Sequence, residues 1–287
     1  MFKRSLRTTA VVFLIGAAFM TEAAGAPSPA PAASGMFPDY EVKLLMNPKT
    51  TLGPDYKLTS SVLNAFSMPR KTTKMNVAYL DTNSKDITNN GWSIRIRKIE
   101  DEDHFELTYK KRYAITNDDI NAALTQPNDD GLDSGDESYD SQVEWGDQNK
   151  TLSMAYSASV SNAGYTGMDL PPINDTRSLT IGNAPDKFSN WLSASWGKNK
   201  LQASRYYGPV LAKRSTGTWR GMKLYIEVWP IKNAAGTGTE YVVEASFKTH
   251  SATSASAKHN ELAAYLKSKG WLLAQDSLKT QLIMDRY

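Results

Sequence analysis

The sequence predicts an α+β domain, strand-rich with peripheral helices, and three observations support this. Period-two alternation recurs from residue 37 to residue 248, helical spacing falls in short stretches between and after these runs, and no internal repeat is visible. The first run, "FPDYEVKLLM" at 37–46, puts Asp39, Glu41 and Lys43 on one face and Tyr40, Val42 and Leu44 on the other. A short helix is expected at 58–66, where Leu58, Val62 and Phe66 fall at i, i+4 and i+8. Strands follow at 75–81 ("MNVAYLD"), 92–99 ("WSIRIRKI"), 104–113 ("HFELTYKKRY") and 152–160. Next comes a helix at about 185–196, with Pro185 near its first turn and Phe188, Trp191, Leu192 and Trp196 on one stripe. Strands at 205–219, 223–231 and 240–248 precede helices at about 257–268, stopped by Gly270, and 276–285.

Between Arg112 and Lys150 there are ten acidic residues and no Lys or Arg. This segment, about 114–148, reads as a mobile, solvated insertion, and removing 118–142 is expected to leave the fold intact. "NDDGLDSGDESYD" lacks the ligand spacing of a calcium loop. At the N-terminus, Lys3, Arg4 and Arg7 precede the apolar run at 10–20, and "AGA" ends at Ala26. That pattern predicts a signal peptide over 1–26 and hence a secreted protein, extracellular, or periplasmic if bacterial. "PSPAPAASG" at 27–35 is a spacer, so the domain spans 36–287.

The chain has 287 residues, 40% of them hydrophobic, enough for a sizeable core. Without 1–26, 30 basic residues face 29 acidic ones, a balance that gives no general argument for nucleic-acid or membrane partners. With no cysteine there are no disulfides, thiol nucleophiles or thiolate metal sites. The three histidines are scattered without metal-ligand spacing, and neither a Gly-x-Ser-x-Gly elbow nor a complete phosphate loop is present. The mature protein is expected to be a monomer.

Charge is distributed unusually over the strands. Arg95 and Arg97 share a face opposite Ile94 and Ile96; Glu106, Thr108 and Lys110 share another; Glu227 and Glu244 mark two late strands. Such faces could be the solvent side of an ordinary sheet laced by salt bridges. Alternatively, the sheet closes and they line a polar bore, with guanidinium and ammonium groups for phosphate oxygens and carboxylates for a divalent cation.

Asp-x-Glu-x-Lys at 39–43 resembles the Glu-x-Glu-x-Lys signature of the CYTH superfamily, the triphosphate tunnel metalloenzymes. The later pieces follow in the family's order: "AYLDT" at 78–82, "GWSIRIR" at 91–97, "LTYK" at 107–110, "AKRSTGTW" at 212–219, "LYIEVW" at 224–229 and "VVEASF" at 242–247. The resemblance covers about 36–270 apart from the acidic segment. It is nearest to thiamine triphosphatase-like members.

The resemblance implies an eight-stranded antiparallel β-tunnel with a charged lumen. It implies magnesium or manganese on Asp39, Glu41 and Glu244, with Glu227 nearby. Lys43, Arg95, Arg97, Lys110 and Arg214 would grip the phosphates, Lys213 replacing Arg214 if the register slips by one. Glu41 and Lys43 would serve a metal-dependent hydrolysis of an organic or inorganic triphosphate, water attacking the terminal phosphate. Two positions depart from the pattern: Asp39 replaces the first Glu, and Val242 stands where an acid is usual, with Glu240 two residues earlier on that face. The rival function is a non-catalytic polyphosphate- or nucleotide-binding protein on the same fold.

Overall fold

The computed structural model describes residues 37–132, 139–276 and 278–287. The predicted signal peptide and spacer, and residues 133–138 of the acidic segment, lie outside them. The strands are β1 (Asp39–Met46), β2 (Thr73–Asp81), β3 (Trp92–Ile99), β4 (His104–Ala114), β5 (Asp140–Trp145), β6 (Lys150–Ser161), β7 (Arg205–Trp219), β8 (Met222–Lys232) and β9 (Thr239–Thr249). The helices are α1 (Pro48–Thr51), α2 (Ser60–Ala65), α3 (Asp86–Asn89), α4 (Ile120–Asp129), α5 (Ile173–Gly182), α6 (Asp186–Ser189), α7 (Trp196–Gln202), α8 (Ala252–Ser268) and α9 (Lys279–Arg286).

The strands form a closed barrel in the order β1-β5-β6-β4-β3-β2-β7-β8-β9, with β9 returning to pair with β1. This corrects the expected eight antiparallel strands. A ninth, β5, comes from the acidic segment and runs parallel to β1, while every other pairing is antiparallel. The insertion is therefore built into the wall. Its α4 is capped by Asp119, whose carboxylate accepts from the Ala122 amide at 2.9 Å, and packs Ala123 and Leu124 into the core.

Alternation decides which side of the wall each side chain faces. On β1, Val42, Leu44 and Met46 are fully buried beneath Val62 of α2, Phe66 at its C-terminal end, and Leu262 and Leu266 of α8. Ile94, Ile96, Leu107 and Tyr109 meet Phe188, Trp196 and Leu201 from α6 and α7. Met75, Val77, Val210 and Ala212 meet Ile283 and Met284 of α9. Burying such a side chain contributes about 1.5–3 kcal/mol, so the apolar face is anchored outward under helices and the charged face is left to the bore.

Of the single helix expected at 185–196 only α6 forms, and a second helix, α7, begins at Trp196 where the first was expected to end. The chain turns between them: Ser195 takes φ 60°, and its amide donates to the Asn190 side chain at 3.0 Å. The aromatic stripe nevertheless packs together, Phe188 against both Trp92 and Trp196. Asp81 of the "AYLDT" piece has a structural role. It is fully buried and accepts from the amides of Thr82, Ile87 and Thr88 at 2.7–2.9 Å, tying β2 to α3. Gly91 at φ 74° then turns the chain into β3 and its two arginines.

Candidate functional site

Asp39, Glu41, Lys43, Arg95, Arg97, Lys110, Arg214, Glu227 and Glu244 all line one cavity of about 830 Å³, the lumen of the barrel. The charged face of "FPDYEVKLLM" thus points inward. Arg214 lines the lumen and Lys213 is exposed, which settles the register on β7. Seven further charged residues also line it: Glu106, Arg112, Asp140, Glu144, Lys248, Asp276 and Lys279.

Three ionic clusters divide the wall. In the first, Arg95 and Arg97 of β3 share a single carboxylate, Glu106 of β4; Arg97 lies 2.6 Å from it, and Arg95 also donates to Thr108 at 2.9 Å. Burial works to raise the Glu106 pKa, but the two arginines outweigh it and take it down to about 2. The Arg97 pKa is lowered as well, by burial and by the neighbouring Arg95 and Arg214. The two shifts fit together if the trio carries more positive charge than one carboxylate neutralises. The Nε–H groups of both arginines are buried and have no partner among the described residues. The cluster therefore has spare donors and spare charge.

The second cluster surrounds Glu144 of β5, whose side chain is 3% exposed. Lys110 at 2.6 Å, Arg112 at 3.1 Å and Lys43 at 3.3 Å converge on it, and Lys43 also meets Glu41 at 2.9 Å. Burial disfavours the Glu144 charge, yet the surrounding cations hold its pKa well below the ordinary carboxylate range. Burial lowers Lys110 to about 8, only partly offset by Glu144. Sequence reasoning missed Glu144 because it sits among nine other acids in a segment without basic residues. The period-two fragment "SQVEW" was its one signal.

The third cluster joins β7, β8, β9 and α9. Glu227 and Glu244 face each other in register, with side chains 8% and 5% exposed. The Lys279 ammonium stands between them at 2.6 and 2.8 Å, and Arg214 reaches Glu227 at 2.8 Å. Trp229 Nε1–H donates to Glu227 at 2.9 Å. Burial tends to raise both carboxyl pKa values. At Glu227, Lys279 and Arg214 overcome it and lower the pKa; at Glu244 burial prevails over Lys279 and Lys43, with the neighbouring Glu227 adding to the rise.

The four acids assigned to a metal by the resemblance do not come together. Glu244 pairs with Leu45 and Glu41 with Lys248, so they are four residues apart along the ladder, roughly 13 Å. Among the described residues no group of three metal-ligating side chains converges. Glu227 and Glu244 are taken up by Lys279, which fits an ammonium and not a divalent ion. Asp39 and Glu41 share one strand face at the other end, Asp39 with its side chain 46% exposed beside His250. Of the two, Glu41 is 18% exposed and ion-paired with Lys43, so a magnesium-type ion that keeps water or phosphate as its other ligands would have to share these carboxylates with Lys43 and His250. Glu240 is no substitute acid: it lies off the lumen, ion-paired with Arg286 at 3.1 Å. Val242 is paired with Trp229 in an apolar floor that includes Leu45 and the buried side of α9, which accounts for the missing acid there.

No protein-family sequence profile matches the chain, and no curated protein matches it. Solved structures do. HpAC1 of Hippeastrum, described as an adenylyl cyclase candidate with a dominant triphosphatase activity, is 14% identical, with a TM-score of 0.52 over 85% of this chain and 94% of that one. Adenylate cyclase candidates from Bacillus halodurans (13% identity, TM-score 0.46, 85% and 96% covered) and Vibrio parahaemolyticus (10%, 0.43, 86% and 99%) are more distant and carry no weight. At such identity the likeness to HpAC1 establishes the fold: a closed, mostly antiparallel tunnel with peripheral helices.

Proposed function

We propose that the protein is an exported CYTH-type triphosphatase whose lumen takes the phosphate chain of a small organic or inorganic triphosphate or polyphosphate. One observation carries the reading. Arg95 and Arg97 line the lumen and share a single carboxylate, and the buried Nε–H of each has no partner among the described residues. Buried donors without partners are costly, and a phosphate group satisfies them with charge-assisted bonds. Arg214 and Lys110 extend the seat, and the described activity of HpAC1 on the same fold agrees with it.

The hydrolytic reading rests on Glu41 and Lys43, which line the same lumen. Burial tends to raise the Glu41 pKa, but Lys43 and Lys248 outweigh it, so the carboxylate is ionised at neutral pH and can accept a hydrogen bond from water. Burial opposes the Lys43 charge, yet Glu144 and Glu41 hold its pKa above the ordinary value. In the reaction, water oxygen bonds to the terminal phosphorus, the bridging P–O bond breaks, and the shortened phosphate chain leaves with that electron pair. The water proton passes to Glu41 and then to solvent. Lys43 and the arginines neutralise charge on the transferring oxygens. A magnesium or manganese ion entering with the phosphates would have Asp39 and Glu41 as ligands and would add further charge neutralisation.

A binding-only function has one observation in its favour: Glu41, Glu106 and Glu144 are already committed to cations. Phosphate release from tripolyphosphate, ATP and thiamine triphosphate, with magnesium, manganese or EDTA, separates the two. Release by the wild type that is abolished in Glu41→Gln, with binding retained, supports the hydrolase. Tight binding without release establishes the binder. Absence of both would end the phosphate reading.

A further inference from the structure

The late carboxylate pair is a cation site already filled by the chain itself. Glu227 and Glu244 bring two negative charges to opposed positions on β8 and β9, and Arg214 and Lys279 bring two positive ones. A divalent ion added there would leave a nearly water-excluded cluster with two uncompensated positive charges. It would also need coordination space that the ammonium occupies. The Lys279 nitrogen contacts one oxygen of each carboxylate and lies 4.7 Å over the Trp229 ring, which is itself hydrogen-bonded to Glu227.

The lysine is not a loose surface side chain folded in by chance. It is the first residue of α9, and that helix is fixed along its length. Thr280 donates to the Tyr79 hydroxyl at 3.0 Å, Ile283 and Met284 are buried against β2 and β7, and Asp285 pairs with Lys85 at 2.9 Å. Arg286 donates to the Lys232 carbonyl at 3.0 Å.

We propose that the Lys279 ammonium is the resident cation of the Glu227–Glu244 pair and excludes divalent metal from it. This goes beyond the phosphate reading and stands whether or not the lumen hydrolyses anything. The test is titration of the full chain with Mn2+ alone, in buffer free of phosphate and chelator, followed by the electron paramagnetic resonance of free Mn2+ and by calorimetry. Binding at Asp39 and Glu41, where it occurs, is common to every protein compared. Glu244→Gln should leave the wild-type Mn2+ isotherm unchanged within twofold. Lys279→Ala should bind Mn2+ at least tenfold more tightly than wild type, and adding Glu244→Gln to it should remove the gain. A wild-type affinity that falls tenfold in Glu244→Gln would show the metal displacing the lysine and would overturn the proposal. So would a folded Lys279→Ala with no gain. If Lys279→Ala does not fold, the comparison of wild type with Glu244→Gln decides by itself, because the amide can still accept from the lysine.

Discussion

Glu144 holds the most demanding position of any single residue in the barrel. Three cations converge on one carboxylate with almost no access to water, and only Lys43 has a second one in Glu41, so Glu144→Ala should cost about 3–5 kcal/mol in urea unfolding, the range for breaking a buried ionic cluster from one side. A loss under 1 kcal/mol would mean that water or ligand already screens the cluster. Glu106 makes a pH-dependent contribution. Its folded pKa of about 2 lies below the ordinary 4.5, so between these values the unfolded chain binds more protons and stability rises with pH. The contribution is complete above about 4.5, fades as pH falls towards 2, and is on the order of 3 kcal/mol at most. Glu106→Gln should flatten the acid limb of the stability curve, and a limb of unchanged slope would count against the assignment. Arg95→Ala or Arg97→Ala should weaken tripolyphosphate binding roughly tenfold or more, by about 1.5–3 kcal/mol per charge-assisted contact.

At the scale of elements, β5 matters most. Its outward Val143 is fully buried, it pairs with β1 on one side and β6 on the other, and the β5–β6 turn is held by Asp276, which accepts from the amides of Asp147, Gln148 and Asn149 at 2.6–3.0 Å. Removing 118–142 would delete α4 and half of β5 and open the barrel. The expected outcome is loss of cooperative unfolding, measured by circular dichroism and calorimetry; a deletion that melts like wild type would restore the view of the segment as a dispensable insertion. Eight strands were legible because a bore facing water and an exterior facing helices both enforce period two. The lumen charges of six of the seven motifs could be placed by the same rule, the exception being "AYLDT", whose Asp81 ties β2 to α3. β5 was not, because six residues carry too little alternation to stand out from acidic loop composition, and its parallel partner β1 lies about a hundred residues earlier in the chain. Lys279 was not either: a lysine at a helix start is ordinary in sequence, and only the docking of α9 sends it inward.

On the scale of the whole molecule, the barrel closes on itself and the bore touches every strand, so a ligand in it should act on the stability of the entire domain. The ionic clusters span β1, β3, β4, β5, β7, β8, β9 and α9, and a phosphate chain between Arg95, Arg97 and Arg214 would bridge walls that the ladder alone connects in series. Binding only to the folded state at one hundred times Kd adds about 2.7 kcal/mol. In a domain of this size that corresponds to a rise in Tm of roughly 5–10 °C. Tripolyphosphate should therefore shift the thermal midpoint by this amount in EDTA and by at least as much with magnesium, whereas orthophosphate at equal ionic strength, able to reach only one cluster at a time, should shift it much less. Arg97→Ala should lose most of the rise without losing the cooperative transition. Equal shifts from tripolyphosphate and orthophosphate would point to general screening of a charged lumen. No shift from either would leave the spare donors of Arg95 and Arg97 to solvent and remove the observation on which the phosphate reading stands.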